Sequence, residues 1–153
     1  CGLADVDPHH MLPHIDKSID DLMKTDLRPY VAMMNELDSV MTCHAHFSAI
    51  DPDSPGLPGS LSKNLITGLL RNRLGYNGLV MTDDLDMGAI VNTYGRGNDV
   101  KTAIEAGNDM AMICHQIVTS EAALEVIHEI DSYRVSDSER RIKKFKNLSK
   151  NAK

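Results

Sequence analysis

The sequence lacks most features that mark specialised classes of protein. It has no tryptophan, only 4% aromatic residues, and three cysteines in 153 residues. An odd number of cysteines without paired spacing argues against a disulfide scaffold. Cys43 and Cys114 lie in apolar, strand-like runs and are expected to be buried, reduced thiols. The cytoplasm is therefore the expected compartment, and a lipidated terminus at Cys1 is the alternative.

Long apolar runs and an excess of positive charge are also missing. The apolar runs are far shorter than the roughly 20 residues that cross a bilayer, so no membrane association is expected. The net charge is −6, whereas nucleic-acid binding selects for an excess of lysine and arginine, so no nucleic-acid partner is expected. The remaining composition, 42% hydrophobic and 25% charged, is typical of a globular domain.

The pattern of apolar residues predicts strands that alternate with helices. Residues 39–43, 78–82 and 109–113 are apolar without clean alternation, as in strands buried on both faces of a parallel sheet. Between the first two strands, Ser62 can begin a helix and Gly75 can end it. Ser18 likewise begins a short predicted helix at residues 18–23. Other helices are predicted at residues 29–37, 100–104 and 120–127 (with Ala123, Leu124 and Ile127 on one face), and a basic terminal helix with a solvated face at 140–153.

This alternation predicts an α/β fold with right-handed crossovers between parallel strands. The spacing of the strands fits a (β/α)₈ TIM barrel, but a whole barrel needs about 250 residues. Three strands cannot close a barrel. The sequence therefore predicts part of one.

Polar clusters follow two of the predicted strands, where active sites of α/β proteins gather. Asp83, Asp84 and Asp86 follow the second strand, and His44 and His46 follow the first. Three neighbouring carboxylates could bind a cation, bind sugar hydroxyls or supply a nucleophile. A structural alternative would also explain acids at positions 84 and 86: a nearby helix N-terminus favours Asp84 and Asp86 because its first turn attracts negative charge.

A second candidate pair lies near the beginning of the chain. Asp7 and His9 are separated by Pro8, which would stiffen their geometry. A carboxylate that orients an imidazole is a common acid–base arrangement. Without context, two polar loop residues near a terminus are the more common meaning of such a pair.

The run 78–90, GLVMTDDLDMGAI, resembles the nucleophile segment of glycoside hydrolase family 3, especially its bacterial β-N-acetylglucosaminidases. In that segment the aspartate after the serine or threonine is the nucleophile, which implies this role for Asp83. Residues 41–44, MTCH, are similar to the Met-Thr-Ala-His strand of the same branch. Residues 5–13 are similar to its flexible loop, whose Asp-Ser-His dyad is the acid/base. This implies that Asp7 and His9 form the dyad, with proline in place of serine.

The resemblance implies a retaining glycosidase that removes terminal β-linked N-acetylhexosamine and needs no cofactor. It also implies that His44, Asp84 and Met87 line the substrate pocket and that the strands are the sixth to eighth of the barrel. The family's Lys-His-Phe-Pro-Gly-His-Gly segment before the dyad is nearly all missing from this sequence. Cys1 would then be an internal position. Self-association or a complementing N-terminal half is expected to complete the pocket.

Two other functions remain open at this point. His44, His46 and Asp83 could form the site of a metal-dependent hydrolase, since alternate residues of a strand point the same way. The chain could also be a non-catalytic fragment or an interaction module that keeps the fold.

Overall fold

The computed structural model describes residues 3–115 and 120–151 of this mixed α/β protein. The strands are β1 (His14–Ile15), β2 (Ser39–Thr42), β3 (His46–Phe47), β4 (Leu79–Asp84) and β5 (Met110–Met112). The α-helices are α1 (Ile19–Lys24), α2 (Arg28–Met33), α3 (Gly88–Val91), α4 (Asn98–Ala106), α5 (Ser120–Ile127) and α6 (Ser132–Asn151). A 3₁₀-helix (Gly59–Leu61) and a π-helix (Asn64–Arg73) lie between β3 and β4.

The sheet that positions the candidate site contains the three predicted strands. Its order is β2-β4-β5, and both pairs are parallel. Thr42 lies opposite Thr82, so β2 and β4 end side by side. A second parallel pair, β1 and β3, was not predicted, because strands of two residues are too short to show periodicity. All paired strands among the described residues are parallel, as predicted for a fold of this class.

The predicted signals for the ends of helices are confirmed. The Ser18 hydroxyl accepts a hydrogen bond from the Asp21 N–H, at 3.1 Å, at the start of α1. The Ser62 hydroxyl accepts one from the Leu65 N–H, at 2.9 Å, and Gly75 ends that helix with φ +72°. The π-helical form of this segment was not foreseen, because ten residues of π-helix are rare and have no simple sequence signature.

Two details of the predicted helices were wrong. Leu124 is 62% exposed, whereas the sequence predicts it on the apolar face of its helix. The terminal helix begins at Ser132, and its basic residues are not all solvated. Arg141 is buried, where its guanidinium pairs with Asp137 and, at 3.3 Å, with Asp109. Sequence spacing missed this pairing because it depends on contact between α6 and the sheet.

Asp109, at the start of β5, is the centre of the buried polar network below the sheet. Its fully buried carboxylate pairs with Arg71 at 2.7 Å and with Arg134 at 3.0 Å, in addition to Arg141. It also accepts a hydrogen bond from the Val80 N–H of β4, at 3.0 Å. One carboxylate therefore joins the π-helix, α6 and two strands. None of the helices in the described part of the chain is long and apolar enough to span a membrane.

Candidate active site

Two of the three carboxylates at the end of β4 are engaged in holding loops together. Asp84 accepts hydrogen bonds from the Asp86 N–H (3.0 Å), from the Cys114 N–H (3.1 Å) and from His115 Nδ1 (2.9 Å). Asp86 pairs with Arg96 and accepts from the His115 N–H, at 2.7 Å. Both carboxylates thus connect the end of β4 and the residues that follow it to the residues after β5, through hydrogen bonds.

The environment of Asp84 keeps its carboxylate ionised. Partial burial acts to raise the pKa of Asp84, because desolvation disfavours the charged form. The N–H groups of Asp86 and Cys114 and the His115 ring act in the opposite direction and prevail, so the pKa lies below its ordinary value. Asp84 therefore keeps its negative charge and serves to hold its hydrogen-bond partners in place.

Of the three carboxylates, Asp83 has the fewest hydrogen bonds and ion pairs with the described residues. It is half-buried on β4, next to the end of β2, and its Oδ1 accepts a hydrogen bond from the Asp84 N–H, at 2.8 Å. No ion pair to this side chain is found in the described ranges. A half-buried carboxylate that no cation neutralises can act as a nucleophile. The contacts therefore distinguish Asp83 from its two neighbours, which the residue types and their spacing, apart from the family resemblance, did not.

The predicted dyad is formed within one short turn. The Nδ1 atom of His9 lies 2.7 Å from Asp7 Oδ1, which also accepts a hydrogen bond from the His9 N–H, at 2.9 Å. These two hydrogen bonds, backbone first, hold the pKa of Asp7 below its usual value. The side chains are 68% (His9) and 57% (Asp7) exposed, so the imidazole is accessible to a ligand. The contact between Nδ1 and Asp7 orients the His9 ring, so that Nε2 lies on the side of the ring away from Asp7.

The dyad loop (residues 7–10) rests against the residues that follow the aspartate cluster. The Gly88 N–H donates to the His9 carbonyl at 3.0 Å, and the Ala89 N–H donates to the Pro8 carbonyl at 3.1 Å. These donors belong to the first turn of α3, where backbone N–H groups have no partner within the helix. The fold therefore brings His9 and the segment that contains Asp83 together, although 74 residues separate them in the sequence.

His44 lies in the interior behind this cluster. Its side chain is fully buried, with Nδ1 2.7 Å from the Ser60 hydroxyl and Nε2 2.8 Å from the Asp84 carbonyl. Because a carbonyl only accepts, Nε2 must donate, and in the neutral ring Nδ1 then accepts from the Ser60 hydroxyl. Burial lowers the pKa of His44, so the ring is held neutral. Met87 is also buried, at 6% exposure.

These contacts argue against the metal-dependent alternative. Both ring nitrogens of His44 have hydrogen-bond partners, and His46 Nδ1 is 3.1 Å from the Leu57 carbonyl. The structure therefore does not direct the two imidazoles to a common point with Asp83. A different group, Asp84, Asp86 and His115, has potential ligand atoms within 4.8 Å of one another, and in this structure its carboxylates accept hydrogen bonds from His115 and Arg96.

Three residues of the site were missed or misjudged from the sequence. Arg96 and His115 carried no motif, yet they hold Asp86 and Asp84 in place. Their contacts are made across the ends of the strands, which spacing along the chain does not reveal. Cys114 is exposed rather than buried as expected, because it lies two residues beyond the end of β5 at Met112 and is not part of the strand.

The buried neutral imidazole predicts that acid destabilises the fold. The folded pKa of His44 lies below its ordinary 6.5, so the unfolded chain binds more protons as the pH falls below that value. The free energy of unfolding should then decrease by up to about 1.4 kcal/mol per pH unit. Urea denaturation between about pH 5 and pH 7.5 measures this slope. His44→Asn should reduce it, whereas substitution of the exposed His10 by glutamine should not; an unchanged slope in both variants would refute the prediction.

Comparison with known proteins gives a consistent result. Residues 1–145 match the family described as "Glycosyl hydrolase family 3 N terminal domain". A β-hexosaminidase of Alkalilimnicola ehrlichii is 35% identical over 137 residues, which cover 89% of this chain and 38% of that protein.

Solved structures extend the comparison to the fold. A glycoside hydrolase family 3 β-N-acetylglucosaminidase from Paenibacillus sp. str. FPU-7 has a TM-score of 0.88 and 36% identity, over 94% of this chain and 28% of that one. The β-glucoside phosphorylase BglX has a TM-score of 0.87 and 26% identity, over 96% of this chain and 28% of that one. The chain thus spans less than half of the length of each of these three relatives.

Proposed function

The chain belongs to glycoside hydrolase family 3, and we propose that it carries the nucleophile and the acid/base of a retaining β-N-acetylhexosaminidase. The observation that carries this proposal is the contact between the dyad loop and α3. It places the loop of His9 against Gly88, five residues after Asp83. The sugar is proposed from the relatives, which are described as a β-hexosaminidase and a β-N-acetylglucosaminidase.

The proposed reaction has two steps at the anomeric carbon. Asp83 attacks this carbon and forms a covalent glycosyl ester, while His9 gives its proton to the departing oxygen. His9 then takes a proton from a water molecule, which attacks the ester and releases the sugar with retained configuration. Asp7 accepts a hydrogen bond from the His9 ring and stabilises its protonated form. An imidazole replaces the second carboxylic acid of the two-carboxylate scheme.

The predicted pocket residues receive indirect roles in this proposal. Asp84 ties the residues after β5 to those after β4, and so shapes the rim of the pocket next to Asp83. His44 donates to the Asp84 carbonyl from the interior and fixes the end of β4. Met87 is buried and in this proposal contributes to the interior next to Asp84 and Asp86 in the sequence. In this role none of the three needs to touch the sugar.

We further propose that the three-stranded sheet is the sixth to eighth strands of a TIM barrel. In the described part of the chain, the outer edges of β2 and β5 have no strand partner. Unpaired edges are ready to bind other strands. The remaining wall of the pocket would come from a longer parent chain, from a complementing N-terminal half or from association of copies. Size-exclusion chromatography distinguishes association of copies from a monomer.

Turnover of a chromogenic N-acetyl-β-glucosaminide by this polypeptide tests the proposed function. We expect release of the aglycone by the unaltered chain, at a rate that rises more than linearly with protein concentration if copies associate. Supplying the missing strands in a longer parent chain should raise the rate. Absence of turnover in both forms would contradict the proposal and favour a non-catalytic interaction module.

Phosphate is a second candidate for the acceptor. The similarity to a β-glucoside phosphorylase motivates this alternative, since phosphate can replace water in the second step. A phosphorylase would release a sugar 1-phosphate, and its rate would depend on the phosphate concentration. Hydrolysis that proceeds equally well without phosphate would exclude this alternative.

A further inference from the structure

The backbone contact between the dyad loop and α3 depends on the absence of a side chain at one position. A Cβ atom built on Gly88 would lie 2.6 Å from the His9 carbonyl oxygen and 2.8 Å from that of His10. Both are closer than real Cβ contacts, and both neighbours are backbone atoms of the dyad loop. The loop would therefore have to move away if residue 88 had any side chain.

Backbone conformation does not explain the glycine. The positive-φ glycines of the described chain are Gly56, Gly75, Gly97 and Gly107, so Gly88 does not adopt the left-handed region. An alanine could keep the same φ and ψ angles. Its conflict is with the dyad loop.

Within residues 3–115 and 120–151, three donors hold the loop at this place. Two of them are the N–H groups of Gly88 and Ala89. The third is the side-chain amide of Asn92, whose Nδ2 donates to the His10 carbonyl at 3.2 Å. All three acceptors are backbone carbonyls, which every residue type supplies. The attachment is thus compatible with proline at position 8, whose carbonyl accepts although its nitrogen cannot donate.

We propose that Gly88 and Asn92 are positioning residues that dock the dyad loop beside the nucleophile segment, so that His9 reaches the leaving oxygen of the substrate. This inference rests on the proposed function for its chemistry, and on the hydrogen bonds and the close backbone approach for its geometry. Gly88 and Asn92 act through His9 and do not touch the substrate.

Substrates that differ in their need for an acid test the proposal. A nitrophenyl aglycone leaves with little protonation, whereas a methyl aglycone depends on His9. For Gly88→Ala we expect kcat/KM for the methyl glycoside to fall about tenfold or more, and that for the nitrophenyl glycoside to change less than about threefold. Asn92→Ala, which adds no atoms, should show the same pattern with a smaller fall. Equal losses for both substrates would mean a merely structural role and would overturn the proposal.

Gly95→Ala is the matched control. A Cβ at Gly95 has no atom within 4 Å, and its φ is not in the left-handed region. This variant should leave both substrates unaffected. It also has the same gain of a methyl group in the same connection between β4 and α4.

Amide hydrogen exchange tests whether the dyad loop is docked on α3, even if the chain turns over no glycoside. The Ala89 N–H should exchange slowly in the unaltered chain and in Gly95→Ala, and about tenfold faster or more in Gly88→Ala. Fast exchange of this amide in the unaltered chain would overturn the docking. Slow exchange without any turnover would support the docking and contradict only the proposed function.

Discussion

Replacement of Asp83 by alanine is expected to lower kcat by at least about 10³-fold in any form of the protein that turns over a glycoside. Without this carboxylate the covalent ester cannot form, and no neighbour can substitute for it. Asp84 and Asp86 point to His115 and Arg96 instead. Initial rates with a nitrophenyl N-acetyl-β-glucosaminide measure the effect. A variant with near-normal turnover would contradict the assignment.

Azide distinguishes the role of Asp83 from that of His9. In Asp83→Ala, azide can enter the vacated space and displace the aglycone directly, with one inversion, to give the α-glycosyl azide. In His9→Ala, Asp83 still forms the ester from an activated substrate. Azide then attacks the ester with a second inversion and gives the β-glycosyl azide. Asp84→Ala should give neither rescue, because its carboxylate fastens loops and does not occupy the reaction centre.

The largest effect on stability is expected from Asp109→Asn, far from the candidate reaction centre. The substitution keeps the shape of the side chain but leaves Arg71, Arg134 and Arg141 without the buried carboxylate that they share. Removing one partner from a buried network of charges costs about 3–5 kcal/mol. Because small domains are stable by only about 5–15 kcal/mol, this loss should be easily seen in urea denaturation.

An exposed ion pair of the same kind provides the control. Glu139 pairs with Lys143 at 3.2 Å one turn along α6, and its side chain is 59% exposed. Glu139→Gln should change the free energy of unfolding by no more than about 0.5 kcal/mol. If Asp109→Asn were equally mild, the buried network would not contribute as described.

The sequence predicted the features that depend on neighbours along the chain. The three longer strands, the Ser18 and Ser62 caps and the Gly75 helix end all have short-range signals. The dyad was also predictable, since Asp7 and His9 lie within one turn. Strands of two residues and a π-helix lack such signals and were missed.

Features that depend on distant contacts could not be predicted. Composition and spacing do not distinguish Asp83, Asp84 and Asp86, and it was the family resemblance that implied the nucleophile. The contacts with Arg96 and His115, which only the folded chain shows, give Asp86 and Asp84 structural roles. The buried state of Arg141 likewise depends on Asp109, which lies 32 residues away. The docking of the dyad loop on Gly88 joins a segment that precedes β2 in the sequence to one that follows β4. Only the folded backbone shows this contact.

Covalent trapping of the enzyme tests the central claim most directly. A 5-fluoro derivative of an N-acetyl-β-glucosaminyl fluoride slows both steps of a retaining reaction, while its fluoride leaving group keeps the first step accessible. Mass spectrometry of the digested protein should find one added glycosyl group, on the peptide that contains Asp83 and on that side chain. A label on Asp84, Asp86 or any other residue, or no label at all, would contradict the account.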